Sequence, residues 1–288
     1  MFHSVILASM GRAEVLDDTV ASVLDQTRPP DEVILAVPSP EDVLPRTTRR
    51  PRVRVVLPPR GLTAQRNFAL RHVHPEAEIV SFLDDDVELA ADYLERAGRL
   101  FRDRADVVLF WGYVVDDGNK KGGIPRSVAK QLTATWRPRE GRFSRASDAY
   151  GCNMNVRRAV ADRVRFDERM PLYGWLEDRD FGARCAREGL IGTFDGCALV
   201  HLAVPGGRTS GYRYGYSQVV NPIYLGRKRS MSSAEVVLFV GRALVRNGVG
   251  AAAFDRRIDR WGRFRGNLLG LAHVVRGRIQ PELILQLG

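Results

Sequence analysis

At 288 residues, with 44% apolar and 27% charged side chains, the chain can bury one large core or two modest ones, which excludes disordered and fibrous classes. No apolar stretch approaches the roughly 20 residues of a membrane span. The N-terminus lacks the basic segment of a signal peptide, and three cysteines (Cys152, Cys185, Cys197) without CxxC spacing indicate neither a disulfide framework nor a zinc site, so a cytoplasmic home is expected.

The first half alternates strand-like and helix-like segments, which predicts an α/β fold with a mostly parallel sheet flanked by helices. Strands are predicted at Ser4–Ala8, Glu32–Val37, Val53–Leu57, Glu78–Leu83 and Val107–Val115, with helices over Ala13–Asp25, Thr63–Val73 and Ala90–Arg102. A glycine-rich loop follows Val115, and the pattern stays irregular to about Tyr150. Then come a strand at Cys152–Val156, helices near Arg158–Arg163 and Leu176–Glu188, and strands at Ile191–Phe194 and Ala198–Leu202. The natural boundaries are 1–115, 116–202 and a helical extension, 203–288.

Asp84, Asp85 and Asp86 end the apolar run Ile79-Val80-Ser81-Phe82-Leu83. A buried strand therefore delivers three carboxylates to the sheet edge where open α/β folds bind ligands. Such a triplet either caps the following helix or is compensated by a divalent cation, Mg²⁺ or Mn²⁺, beside a phosphate. A second acidic site, Glu177-Asp178, enters a helix about 90 residues later: its carboxylates are either partners of the helix dipole or a general base. His201 ends the last core strand and is a candidate imidazole ligand. Arg66, near the start of its helix beside the same edge, is a candidate phosphate-binding group. Trp111, Tyr113, Trp136, Tyr173 and Trp175 offer faces for sugar stacking or for core packing.

These residues carry a resemblance. Val5-Ile6-Leu7-Ala8-Ser9-Met10-Gly11-Arg12 resembles the first strand and loop of family-2 glycosyltransferases of the bacterial type, and Ser22 to Ile34 their first helix, turn and second strand. Ala64-Gln65-Arg66-Asn67 is similar to their nucleotide-contacting segment, Leu83-Asp84-Asp85-Asp86 to their DxD motif, Gly151 to Arg158 to their acceptor-side strand, and Glu177-Asp178-Arg179-Asp180-Phe181 to their ED motif. The resemblance covers residues 3–202.

It implies a GT-A fold and an inverting, metal-dependent transfer of a hexose-type sugar from a nucleoside-diphosphate donor to an acceptor hydroxyl, in cell-surface polysaccharide or glycolipid assembly. By position, Asp86 and His201 would hold the metal, with Asp84 on the metal or the ribose. Ala8, Ser9, Arg12, Arg66, Asp84 and Asp85 would line the nucleotide-sugar pocket, and Asn153 and Trp175 the acceptor side. Asp178 would be the base and Glu177 its support, while Asp85 is expected to tolerate change best. Two separated acidic sites suit inversion, whereas a retaining pair requires carboxylates about 5–5.5 Å apart. UDP leads the donors, with GDP and dTDP open, because Val37-Pro38-Ser39-Pro40 replaces the acidic base-reader of many members. The acceptor is a glycan or a lipid-linked sugar.

The net charge of +10 is uneven, since residues 226–288 hold twelve basic and four acidic residues. Arginines interleaved with Val236 to Val240, Trp261, Phe264, Leu268 and Leu271 predict an amphipathic segment. It either lies on an anionic membrane, which would make the protein peripheral at the inner membrane face, or packs its apolar side on the domain. Two other classes compete. A sugar-phosphate nucleotidylyltransferase wants more glycine after the first strand, and no specific nucleic acid is expected, because the basic tail lacks a recognised reading motif.

Overall fold

Alternating apolar positions set up the first layer of structure, because strand residues facing opposite sides of a sheet each need a helix to cover them. A computed structural model describes residues 1–137, 141–204, 209–253 and 258–287; Arg256 and Arg257 of the basic tail lie outside these. In chain order the elements begin β1 (Phe2–Ala8), α1 (Ala13–Leu24), β2 (Glu32–Ala36), α2 (Pro45–Thr48), β3 (Val53–Val56), α3 (Leu62–Leu70), β4 (Ala77–Asp84), β5 (Val87–Leu89), α4 (Tyr93–Asp103) and β6 (Val107–Asp117). They continue with α5 (Arg126–Thr135), β7 (Phe143–Arg145), β8 (Asn153–Arg157), α6 (Arg158–Val164), α7 (Glu177–Cys185), β9 (Leu190–His201), α8 (Gly211–Arg227), α9 (Ser233–Ala252) and α10 (Arg260–Val275).

The chain divides into two compact units. The first comprises Met1–Arg60, Ala64–Phe166 and Phe181–Gly207, and its sheet runs in the order β3-β2-β1-β4-β8-β6-β9-β5, with β7 on β9. Among the described residues, β1, β2, β3, β4, β6 and β9 run one way, while β8, β5 and β7 run against them. The sheet is thus mostly parallel, as expected, but β8 divides the parallel set.

Strand alternation builds a core on each face. Val5, Leu7, Val33, Leu35, Ile79 and Leu83 pack under α1 and α4, whereas Ile6, Ile34, Val80 and Phe82 pack with residues of α3, α6 and α7. Three local expectations change. Asp85 and Asp86 form a turn into β5 rather than a helix start, because Val87–Leu89 pairs antiparallel with Leu199–His201. The irregular stretch holds α5 and β7. The two last predicted strands are one, β9, whose register against β6 shifts between Gly112 and Tyr113.

The second unit comprises Gly61–Thr63, Asp167–Asp180 and Arg208–Gly288, so neither unit is a continuous stretch of chain. Its core joins Met170, Tyr216, Val220, Leu225, Met231 and Ile284. α8 and α10 cross with backbones in contact: a Cβ on Gly266 would lie 2.0 Å from the Tyr212 carbonyl, so only glycine admits this approach. Ser232 and Glu235 close a capping box on α9. Buried Asp180 accepts from Ser230 Oγ at 2.6 Å and Lys228 Nζ at 2.9 Å, which ties the start of α7 to the chain after α8.

Candidate active site

β1, β4, β6 and β9 share a direction, so their carboxyl ends meet at one edge and deliver Ala8, Asp84, Asp117 and His201 there. Ala8 pairs in register with Asp84, and Asp117 with His201. From the sequence, such convergence of strand ends is where a ligand site belongs.

The imidazole of His201 is the centre of this cluster. Its Nε2 lies 3.4 Å from Asp86 Oδ1 and 3.9 Å from Asp84 Oδ2, and one ligand atom from each of the three residues falls within 4.8 Å of the others. On its far side Nδ1 lies 3.1 Å from Asp117 Oδ1. Asp117 is held in turn, accepting from Tyr150 OH at 2.8 Å and from the Asn119 N–H at 3.0 Å. Burial opposes a charge on the ring, but the hydrogen bonds to Asp117 and Asp86 and the charge of Asp84 outweigh it, pushing the imidazole up to about 10. For Asp86, burial is likewise outweighed, here by His201 and Arg12, and its carboxyl stays below the usual range. Asp84 is raised, because burial exceeds the pull of Arg66 and His201.

The nucleotide-side residues are already bound to one another. Arg12 grips Asp85 through Nε, at 3.1 Å, and Nη2, and reaches Asp86 Oδ2 at 3.2 Å and the Val204 carbonyl at 3.2 Å. Ser9 Oγ donates to the same Asp85 carboxylate. Burial pushes Asp85 up to about 7 even with Arg12 beside it. Asp85, expected to tolerate change, is instead held on both oxygens by Arg12, with Ser9 on one of them. Asp86 divides its oxygens: Oδ2 accepts from Arg12 and from the Val204 N–H at 2.9 Å, and Oδ1 faces His201. Arg66 is buried rather than solvated. It donates to Asp84 Oδ1 at 3.2 Å and the Gly151 carbonyl at 3.0 Å, with its guanidinium over the Phe166 ring.

The acceptor-side expectation for Asn153 is corrected. It is fully buried, and its Oδ1 accepts the Gly112 N–H at 2.6 Å, a strap from β8 to β6 rather than a contact surface. Among the aromatics, Trp111 packs on the core, while Tyr113 and Trp136 stack at 4.8 Å and line a cleft of about 440 Å³ with Arg137 and Asp195.

Trp175, Glu177 and Asp178 belong to the second unit. Three left-handed residues stand in this segment, Leu172 at φ +60°, Gly174 at φ +59° and Leu176 at φ +72°. For a leucine this backbone is strained, and strain of that kind collects at functional turns. Glu177 is buried, its N–H bonded to the Gly174 carbonyl at 2.7 Å, and Asp178 accepts the Arg179 N–H at 2.8 Å in the first turn of α7. Trp175 lies against Tyr214 and Phe239, and its carbonyl accepts from Asn221. Asp117, Tyr150 and the Val204 N–H were missed. Asp117 stood inside a loop-like acidic stretch, and only the β6–β9 register brings it to a histidine 84 residues away.

The family model described as glycosyl transferase family 2 matches residues 4–165. No curated protein matches the chain. Among solved structures, residues 1–349 of S. aureus TarS in complex with UDP-GlcNAc align with a TM-score of 0.60 and 14% identity, covering 97% of this chain and 83% of that one. GalNAc-T7 with UDP, GalNAc and Mn²⁺ aligns with a TM-score of 0.54 and 15% identity over 81% of this chain and 51% of that one. At these identities the likeness is one of fold.

Proposed function

The chain belongs to glycosyl transferase family 2 and has the GT-A fold, and from that premise we propose an inverting, metal-dependent transfer of a hexose from a nucleoside-diphosphate sugar to a hydroxyl of a glycan or lipid-linked acceptor, in cell-surface polysaccharide or glycolipid assembly. Membership in a glycosyltransferase family decides against the nucleotidylyltransferase and the nucleic-acid module. The observation that carries the proposal is the convergence of Asp84, Asp86 and His201 at the carboxyl edge of the sheet.

The donor set fits a divalent cation. Two carboxylate oxygens and an imidazole suit Mn²⁺ or Mg²⁺, and the carboxylate behind His201 Nδ1 is the support that metal-ligating histidines take. When bound, the cation supplies Lewis-acid charge to the leaving diphosphate. The protein's own part is electrostatic and positional. Arg12 neutralises Asp85 and one oxygen of Asp86, which leaves the other oxygen for the ligand side, and Arg66 fixes Asp84 from behind. Asp178 takes the proton of the acceptor hydroxyl. It stands in the first turn of α7, with Glu177 beside it in support. For the acceptor, the stacked Tyr113 and Trp136 offer the aromatic surface sugar rings take.

UDP is the first donor nucleotide, supported by the UDP-bound state of both neighbours, with GDP and dTDP as competitors. Calorimetry of the three diphosphates with Mn²⁺ ranks them directly, and tightest binding by GDP or dTDP overturns the choice. Asp178→Asn should lower transfer by about 10²–10⁴-fold while leaving donor affinity unchanged. Normal turnover by that variant removes Asp178 as the base.

A further inference from the structure

The basic tail packs one side of its helices and leaves the other apolar. α9 turns Ala243 and Asn247 inward, and α10 turns Gly266, Asn267 and Gly270 inward. The pair is locked by a buried polar knot in which Asn247 Nδ2 donates to Asn267 Oδ1 at 2.8 Å and Arg260 Nη1 to Asn247 Oδ1 at 3.3 Å. On the opposite sides stand Val237, Val245 and Val249, at 72%, 67% and 66% exposure, and Trp261, Leu268 and Val275, at 61%, 48% and 86%. Helical spacing puts each set on one stripe. Exposed Arg242 and Arg246 run along the α9 stripe, Arg265 and Arg276 along that of α10.

An exposed apolar stripe of this length marks a docking surface. We infer that the outer faces of α9 and α10 dock on an anionic lipid bilayer, the apolar side chains entering the headgroup boundary and the arginines meeting lipid phosphates. Charge selects this partner. The tail's described acids are occupied within the same unit, Glu235 by Arg179, Glu282 by Arg169 and Asp259 as the cap of α10, so the stripe presents positive charge unopposed. A second copy of the chain would set arginine against arginine. A nucleic acid would satisfy the arginines and leave the valines in water. The contact is a surface one, since none of the described helices is long and apolar enough to cross a membrane. The inference uses residues of the second unit alone and does not rest on the transfer reading.

The test is co-sedimentation of the full chain with phosphatidylcholine vesicles, with and without phosphatidylglycerol. The wild type should pellet with the anionic vesicles, release with added salt, and stay in solution with the zwitterionic ones. Val245→Glu/Val249→Glu and Arg242→Glu/Arg246→Glu should each weaken binding by about tenfold or more. Circular dichroism and thermal unfolding must show both variants folded; if either is not, the single Val249→Glu and Arg246→Glu variants carry the comparison. Three results overturn the inference. They are a wild type that ignores anionic vesicles, apolar variants that bind as the wild type does, and a sedimentation-velocity shift showing that these substitutions instead split a dimer.

Discussion

His3 and His201 are both buried and both sit near strand ends, one at the start of β1 and the other at the end of β9, yet their surroundings push the two imidazoles in opposite directions. Around His3 the partners are neutral: its Nε2 lies 2.7 Å from Ser81 Oγ, and Ser81 donates to Asn155 Oδ1, so the ring nitrogen is the donor. Burial and the nearby Arg28 charge lower that imidazole to about 3. Around His201 stand three carboxylates, and the same burial is overcome. Burial therefore does not decide the state of a histidine; the groups gathered at each edge of the sheet do. One edge excludes positive charge, and the other, lined by carboxylates, receives it.

The largest effect is expected where the receiving edge is most tightly wired. Asp85→Asn removes the carboxylate that Arg12 grips and leaves a guanidinium with one charged partner fewer in a buried setting. The cost should be about 3 kcal/mol in urea unfolding, the lower end for a broken buried pair because Arg12 is partly exposed. Arg12→Met combined with Asp85→Leu should recover most of that loss. A single-variant loss below about 0.5 kcal/mol would reduce this pair to a surface contact and sink the idea of a wired edge.

Next in size is Asp117→Asn. The amide keeps the shape but loses the charge that orients and supports His201, so Mn²⁺ affinity by calorimetry should fall by about 10–100-fold. Donor affinity measured without metal should not move, which separates a positioning role from general damage. Unchanged Mn²⁺ binding would show that the carboxylate behind the ring is incidental.

Both residues show how far the chain could be read unaided. The acidic triplet and His201 were legible because each stands at a strand end that the sheet delivers to one edge. Asp117 was not, since its meaning depends on strand register across a separation of 84 residues, and register is a tertiary fact. Asn153 was misread for the opposite reason: a polar residue in a strand looks available until a neighbouring backbone N–H is found to occupy it. Arg66, a candidate for phosphate, is held between Asp84 and the Gly151 carbonyl, a setting that its own segment does not reveal. The strand order was out of reach locally, because β8 joins β4 to β6 from far along the chain and nothing in its own residues names those partners.

The smallest effect concerns the excluding edge. The folded protein refuses His3 a proton that the unfolded chain accepts near pH 6.5, so the contribution is whole above that pH and is lost as pH falls towards about 3. Between pH 7 and about pH 5.5 the loss should be about 1.4 kcal/mol. His201 works in the other sense, because its raised value adds stability that is fully present below about pH 6.5 and fades as pH rises towards about 10. The two must therefore be separated by substitution rather than by pH alone. His3→Gln keeps a donor for Ser81 and carries no titration, so its urea-unfolding stability should fall less than that of the wild type over the same range, by about 1.4 kcal/mol. Parallel pH profiles for the two proteins would mean that His3 is not held neutral, and the contrast between the two edges would lose one of its sides.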